Sequence, residues 1–198
     1  MTIDQDQEIC GIVLAGGKSS RLGRDKARVE IDGRSLLQRA LSLAAEFCSR
    51  TYCVGREVQV QGVTARWMLD EIPGMGPMGG IITALKKLDS PCLVLACDLP
   101  YLNGKVIHRL IRHRNAYGRD RHITTYHREG TSYIEALVSI YEPRSLDLLT
   151  ASMSRGCYQL SRAIPFENRC HIAYGPHEEK YFFNVNYPRD LDKLAASP

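Results

Sequence analysis

The sequence predicts an α/β fold with a mostly parallel central sheet and helices on both faces. Short apolar runs alternate with segments of helical periodicity along all 198 residues. The run from Leu93 to Ala96 has no polar residue, which is typical of a strand buried on both faces of a parallel sheet. No repeat, low-complexity tract or linker-like stretch interrupts the pattern, so we expect a single domain over residues 1–198.

The strands are placed where short apolar or β-branched runs end at turn-forming residues. In chain order they are predicted over residues 9–14, 52–54, 64–68, 93–96, 123–126, 134–141 and 182–185. Helices are placed where apolar residues recur at helical spacing, over residues 35–48, 78–88, 104–117, 145–153, 158–164 and 188–195. Ser35 suits the N-cap of the first helix, and Pro188 suits the first turn of the last one.

Glycines and cationic residues follow the first predicted strand. Small residues occupy positions 15–17 after Leu14, and four cations come next, at Lys18, Arg21, Arg24 and Lys26. Glycine lets backbone N–H groups cradle phosphate oxygens, while Arg21 and Lys26 would add the charge that a triphosphate requires. The spacing matches neither the P-loop nor the Gly-x-Gly-x-x-Gly dinucleotide motif. We interpret the segment as a nucleotide-binding loop; the alternative is a glycine-rich turn with solvated lysines.

Carboxylates follow two further predicted strands. Asp70 comes after the strand over 64–68, and Asp98 comes after the apolar strand over 93–96. Because ligands of parallel sheets bind beyond the carboxyl ends of the strands, we expect both carboxylates to share one crevice with the glycine-rich loop. Asp98 suits Mg²⁺, which prefers carboxylates, phosphate oxygens and water; the alternative is a cap for the following helix. Asp25 is interpreted as a residue that orients Lys26.

Charge and cysteine content narrow the class of protein. The net charge is +4, and residues 105–128 hold seven Lys or Arg and one acid. This stretch could bind nucleic acid, but apolar residues at helical spacing in its first half favour a solvated helix face. The seven cysteines form no Cys-x-x-Cys pair, which favours buried free thiols over a zinc site. A polar, acidic start and the absence of an apolar run of membrane length predict a cytoplasmic protein.

The glycine-rich loop resembles the signature of molybdenum cofactor guanylyltransferases, enzymes of the MobA type. From Leu14 to Lys26 the chain reads Leu-Ala-Gly-Gly-x-Ser-x-Arg-Leu-Gly-x-Asp-Lys. Further matches follow in order along nearly the whole chain, at Leu69-Asp70, 76–81, 97–102, Glu135-Ala-Leu and 183–191. The resemblance implies a three-layer Rossmann-like nucleotidyltransferase fold. It also implies a nucleotide-binding half over about 8–103 and an acceptor-binding half over about 104–198.

The same resemblance implies Mg²⁺-dependent transfer of GMP from GTP to molybdopterin, with release of pyrophosphate. The residues implied to bind the nucleotide are Leu14, Ala15, Gly16, Gly17, Lys26, Asp70, Gly80 and Asp98. Arg21, Lys26 and Asp98 would carry the catalytic role, because such a transfer depends on alignment and charge stabilisation, and Asp98 would hold the metal. The turn 74–80 would frame the base, or form only the entrance to a helix.

Three residues are implied on the acceptor side. Asn184 and Asn186, two apart on the predicted last strand, would face the pterin, and Arg155 would match a family arginine there. The alternative for the asparagines is a turn in which their side chains bind backbone groups.

Other functions stay open. Relatives that select CTP carry Ala-Ala-Gly where residues 15–17 stand here, which favours GTP. A transferase for CTP or for another phosphorylated acceptor is the nearest alternative. A non-catalytic protein that binds nucleotide, or RNA through 105–128, is a different class. We expect no membrane and no nucleic-acid partner, and protein partners in cofactor delivery stay possible.

Overall fold

The computed structural model describes residues 9–16, 25–57, 62–72 and 74–195. Its strands, in chain order, are β1 (Cys10–Leu14), β2 (Glu30–Ile31), β3 (Arg34–Ser35), β4 (Arg50–Val54), β5 (Arg66–Met68), β6 (Cys92–Ala96), β7 (Ile123–Arg128), β8 (Ile134–Tyr141) and β9 (Arg169–Tyr174). Its α-helices are α1 (Leu36–Phe47), α2 (Gly76–Leu88), α3 (Gly104–His113), α4 (Ser145–Ser154), α5 (Leu160–Ala163) and α6 (Pro188–Ala195).

Seven of these strands form one sheet in the order β5-β4-β1-β6-β8-β7-β9. Neighbouring strands are parallel except at β8, which runs antiparallel to both β6 and β7. The predicted α/β fold with a mostly parallel sheet is therefore confirmed. The short strands β2 and β3 form a separate hairpin before α1.

Helices cover the sheet on both faces. On β1, Val13 packs into a cluster with α1 and α3, whereas Ile12 packs into a second cluster with α2, α4 and α5. Successive residues of a strand point to opposite faces, so the two clusters are the two interfaces of a three-layer structure. None of the helices in the described residues has the length and apolar character needed to cross a membrane.

Local signals place the helices. The Ser35 hydroxyl accepts a hydrogen bond from the Gln38 N–H (3.1 Å), so Ser35 is the predicted N-cap of α1. Asn103 caps α3 by accepting from the N–H groups of Lys105 and Val106. The alternative role for Asp98 as the cap of this helix is therefore wrong, since Asn103 fills that position.

One strand predicted for the main sheet is wrong, one of its observed strands was missed, and the hairpin of β2 and β3 was not predicted either. Residues 182–185 form no strand; a 3₁₀ helix ends at Phe182, and the Val185 N–H makes a single bond to the Asp98 carbonyl (3.0 Å). The last strand is instead β9, in which Cys170, Ile172 and Tyr174 point inward. Arg169, His171 and Ala173 alternate with these three and are only partly buried, which is the ordinary pattern of a half-buried edge strand.

Over α3 the basic stretch 105–128 has the predicted solvated face, since Lys105, Arg109 and Arg112 are exposed, but the residue after the helix differs. Arg114 is buried, and its guanidinium donates to both carboxylate oxygens of Glu142 (2.7 and 2.9 Å). Arg109 pairs with Glu178, and Arg128 pairs with Glu179. Acidic residues from later in the chain thus neutralise much of the stretch. Among the cysteines, five are buried free thiols as predicted: Cys10, Cys48, Cys53, Cys92 and Cys170.

Candidate active site

Four parallel strands end together at one edge of the sheet. Leu14 lies opposite Val54 and Ala96 in the ladder, and Val54 lies opposite Met68. The segments that follow these strand ends contain Gly16, Gly55, Asp70 and Asp98. The predicted meeting of three strand ends is confirmed, and the end of β4 is a fourth contributor.

Three glycines form a close-packed floor beside Asp70. A Cβ on Gly16 would lie 3.2 Å from the Gly55 Cα, and a Cβ on Gly55 would lie 2.6 Å from the Gly16 Cα. Gly55 also has a φ of +98°, a conformation that side chains rarely adopt. A Cβ on Gly80 would lie 2.9 Å from Leu14 Cδ2 and 3.2 Å from Asp70 Oδ1. The backbones of β1, β4 and α2 therefore approach the Asp70 carboxylate closely.

The Asp70 carboxylate has an unused acceptor. Its Oδ1 atom is buried and has no hydrogen-bond partner within the part of the chain that the structure describes. Burial raises the pKa of Asp70 above its usual value of 3.8. A buried carboxylate oxygen of this kind is a strong acceptor for a ligand that brings N–H donors.

Lys26 joins the nucleotide side of the crevice to the predicted acceptor side. Its ammonium donates to Asp98 Oδ2 (3.1 Å) and to Asn186 Oδ1 (2.5 Å). The Lys26 and Asp98 side chains are 18% and 17% exposed, so the pair is largely shielded from water. Asp98 Oδ1 is buried and has no hydrogen-bond partner among the described residues.

The segment that carries Asn186 is held from two directions. The Val185 N–H bonds to the Asp98 carbonyl, while the N–H groups of Asn186 and Tyr187 both donate to Asp190 Oδ2 (2.9 and 2.8 Å). Asp190 is buried in the first turn of α6. Sequence analysis gave this carboxylate no role, although a proline followed two residues later by an acid is typical of the first turn of a helix.

Arg56 is a second functional residue that sequence analysis missed. Its guanidinium donates to both oxygens of Asp25 (2.5 and 2.9 Å), and its Nε–H donates to the Ala15 carbonyl (2.8 Å). Hydrogen bonding to Arg56 holds the pKa of Asp25 below its usual value. The same Asp25 side chain caps the 3₁₀ helix that begins at Lys26, which is consistent with the interpretation of Asp25 as a residue that orients Lys26.

The remaining predicted residues are less informative. Gly17 and Arg21 lie outside the described residues. Asn184 donates its amide to the Phe182 carbonyl (3.2 Å), which is the backbone-binding alternative, whereas Asn186 binds Lys26. Arg155 is exposed at the end of α4. Glu135 is buried and accepts from the Tyr174 hydroxyl.

Comparison with known proteins decides the family. The family model described as "MobA-like NTP transferase domain" matches residues 11–168. The chain belongs to the MobA-like NTP transferase family. The site of this MobA-like chain, from Leu14 to Glu135, falls inside the matched residues, and the Asn186 segment follows them.

Several relatives of this MobA-like chain extend over its length. A probable molybdenum cofactor guanylyltransferase from Opitutus terrae is 30% identical, over 93% of this chain and 94% of that protein. A molybdenum cofactor biosynthesis bifunctional protein from Synechocystis is 34% identical over 93% of this chain, which spans only 53% of that longer protein.

Solved structures show the same fold. Molybdopterin-guanine dinucleotide biosynthesis protein A from Archaeoglobus fulgidus superposes with a TM-score of 0.75 at 24% identity, over 94% of this chain and 96% of that one. 2-C-methyl-D-erythritol 4-phosphate cytidylyltransferase from Thermus thermophilus superposes with a TM-score of 0.68 at 14% identity, over 96% and 98%. The Rossmann-like nucleotidyltransferase fold is thereby confirmed.

Proposed function

We propose that this MobA-like enzyme transfers GMP from GTP to the terminal phosphate of molybdopterin and releases pyrophosphate. The observation that carries the proposal is the Lys26 ammonium, which bonds Asp98 on the nucleotide side and Asn186 on the acceptor side. One cation at that junction lies where two anionic substrates must meet. The curated name of the Opitutus relative, which aligns over almost the full length of both proteins, supports the choice of substrates.

Asp70 and the glycine floor are proposed to bind the guanine nucleotide. Guanine presents N–H donors at N1 and N2, and the buried Oδ1 of Asp70 is an acceptor that such donors would satisfy. Gly16 and Gly80 carry no side chain, so their backbones lie close to the Asp70 carboxylate and could contribute to the same site. A base that offers a carbonyl oxygen there would face a carboxylate oxygen, which disfavours it.

Lys26 is proposed to neutralise the phosphate oxygens during transfer. A phosphoryl transfer of this kind needs alignment and positive charge rather than a side-chain nucleophile. The ammonium is preorganised by Asp98 and Asn186, so little reorganisation is required when a phosphate arrives. Arg21 and Gly17, outside the described residues, are proposed to contribute a second cation and a backbone amide.

Asp98 fits a role as the Mg²⁺ ligand. Its Oδ1 oxygen is buried without a hydrogen-bond partner in the described residues, and carboxylate oxygen is a preferred ligand of this cation. Bound Mg²⁺ would supply positive charge at the phosphate oxygens. Lys26 bonds only Oδ2 of the same carboxylate, so Oδ1 would stay available for the cation.

Asn186, with Asn184 and Arg155, is proposed to face the acceptor. Of the three, Asn186 has the strongest support, since its side chain already bonds Lys26. We also propose the cytoplasm as the compartment, because all seven cysteines are free thiols, the state that a reducing environment maintains.

Pyrophosphate release tests the function directly. The protein with Mg²⁺ is incubated with each of the four nucleoside triphosphates, in the presence and absence of molybdopterin. We expect release only with GTP and molybdopterin together. Release with CTP would identify a cytidylyltransferase instead, and release that is absent with every nucleotide would contradict the transferase. Salt-sensitive RNA binding without release would favour the non-catalytic alternative.

A further inference from the structure

We propose that Arg56 is a positioning residue, which fixes Lys26 and the Ala15–Gly16 backbone in the geometry that a nucleoside triphosphate requires. This inference rests on the proposed function, and it assigns to the end of β4 a role that no sequence motif indicated. The Arg56 guanidinium bonds chain segments on both sides of the glycine-rich loop, Ala15 before it and Asp25 after it.

We call Arg56, with its bonds to Ala15 and Asp25, the Arg56 clamp. Backbone hydrogen bonds hold the chain just before Arg56 in the sheet. Arg56 follows Gly55, whose N–H donates to the Met68 carbonyl (2.9 Å), and the Ala15 N–H donates to the Val54 carbonyl (2.9 Å). The backbone before Arg56 is therefore tied into the sheet between β1 and β5. The Arg56 side chain extends from this fixed point toward the loop ends.

The clamp reaches Lys26 through Asp25. Asp25 is the N-cap of the short 3₁₀ helix Lys26–Arg28, and its Oδ1 accepts from the Ala27 N–H (3.1 Å). The same carboxylate receives the two-pronged bond from Arg56. Arg56 thus sets where the helix begins, and Lys26 is the first residue of that helix.

The geometry is specific to arginine. A guanidinium has donors in a planar fork, so it can hold a carboxylate with two bonds while its Nε–H binds a carbonyl. Lysine has one nitrogen and cannot reproduce this arrangement. The Arg56 and Asp25 side chains are 27% and 29% exposed, which leaves the pair more shielded than an ordinary surface ion pair.

The chain offers a matched control in Arg109. Its guanidinium also bonds one carboxylate, Glu178 (2.7 Å) in the 3₁₀ helix Pro176–Phe182, and one carbonyl, Ala173 (2.9 Å) in β9. Replacing Arg109 removes these two kinds of contact, and a contact with the Tyr126 ring besides, without touching Ala15, Asp25 or Lys26. Any loss of stability or affinity that follows from removing a bridging arginine in general will also be seen in Arg109→Ala.

The experiment compares Arg56→Ala, Arg56→Lys and Arg109→Ala. The dissociation constant is measured by calorimetry for the nucleoside triphosphate that the wild type binds most tightly, and melting temperature is recorded in parallel. We expect both Arg56 variants to bind about tenfold more weakly or worse, because small misplacement of binding groups is costly, and Arg109→Ala to bind normally. A merely structural role would lower the folded fraction without changing the affinity of the folded protein.

A double variant tests whether Arg56 acts through Asp25. If the two residues form one clamp, the loss of affinity in Arg56→Ala/Asp25→Ala is smaller than the product of the single losses. The proposal is overturned if the affinity losses of the two single variants multiply in the double variant. It is also overturned if Arg56→Lys binds with wild-type affinity, or if Arg56→Ala and Arg109→Ala lower the affinity equally. Because nucleotide binding is measured without molybdopterin, failure of the proposed transfer reaction is a separate result.

Discussion

At the scale of single residues, the two oxygens of Asp98 have different surroundings. Oδ2 accepts from Lys26, while Oδ1 is buried without a hydrogen-bond partner among the described residues. A protein keeps such an atom when a ligand uses it, since an unsatisfied buried acceptor costs stability. The same reasoning applies to Oδ1 of Asp70.

Asp98→Asn is expected to abolish most transfer while the protein stays folded. The amide keeps the size of the side chain but removes the charge that would hold a cation, so we expect the rate to fall on the order of 10²-fold or more. The melting temperature should stay within roughly 4 °C of wild type, because the exchange removes an unpaired buried oxygen charge as well as an ion pair. Initial rates of pyrophosphate release and a thermal melt measure both effects.

The control for this variant is Asp89→Asn. Asp89 is exposed at the end of α2 in a left-handed conformation that asparagine tolerates. The Asp89→Asn variant should release pyrophosphate at the wild-type rate. A normally active Asp98→Asn would remove Asp98 from the reaction.

Asp70→Asn is expected to increase stability and to weaken GTP binding. Burial raises the pKa of Asp70 above 3.8, so the ionised carboxylate is less stable in the folded than in the unfolded chain. The folded protein is destabilised by this ionised carboxylate at any pH above the raised pKa. The destabilisation disappears as the pH falls from that value to below 3.8, because the carboxylate is then protonated. Thermal melts should therefore favour the variant at pH 7 and converge with wild type in acid, while calorimetry shows weaker GTP affinity. Equal melting temperatures at pH 7 would contradict the burial argument.

At the scale of elements, the site depends on where strands stop. Parallel pairing of β1 with β4 and β6 could be predicted from short apolar runs alternating with helices, and it brings Gly16 and Asp98 to one edge. The hydrogen bonds of Arg56 could not be predicted, because they link residues whose proximity only the folded sheet creates. The bonds of Asp190 are local, to the N–H groups three and four residues earlier, so a helix-start pattern could have indicated them. β9 was missed for a related reason, since an edge strand needs only three inward residues.

Asp190→Ala is expected to impair use of the acceptor more than binding of GTP. Its carboxylate holds the N–H groups of Asn186 and Tyr187, so without it the Asn186 side chain loses its fixed position beside Lys26. We predict a rise of about tenfold or more in the KM for molybdopterin, with a change of less than about threefold in the GTP dissociation constant.

Asp147→Ala provides the comparison. Asp147 is an exposed acid in the first turn of α4, as Asp190 is in the first turn of α6. It should leave both constants unchanged. Equal losses of GTP and acceptor binding in Asp190→Ala would instead show that α6 supports the whole crevice.

At the scale of the whole molecule, acidic residues after residue 128 pair with arginines of the basic stretch 105–128 and reduce the positive charge that it exposes. Counting charges along 105–128 suggests a surface for polyanions, but Glu142, Glu178 and Glu179 pair with three of its arginines. The net charge of residues 105–128 therefore does not predict the charge of the folded surface, because the acidic residues that pair with this stretch lie later in the chain.

Glu142→Gln is expected to destabilise the whole fold. The pair that it forms with Arg114 ties the end of α3 to the residue after β8, and both side chains are almost fully buried, at 1% and 4% exposure. Removing the carboxylate leaves a buried guanidinium without its counter-charge, which costs about 3–5 kcal/mol. For a chain of this size we expect the melting temperature to fall by roughly 6–20 °C.

Glu178→Gln is the control that separates the effect of burial from the effect of removing one negative charge. It breaks the exposed pair with Arg109, at 38% and 45% exposure, and removes the same formal charge. An exposed pair contributes about 0–1 kcal/mol, so this variant should melt within a few degrees of wild type. Melts at low and high salt complete the test, because salt screens the exposed pair but scarcely reaches the buried one. If both variants melt alike, the Arg114–Glu142 pair is no anchor, and the apolar contacts of α3 alone hold it to the sheet.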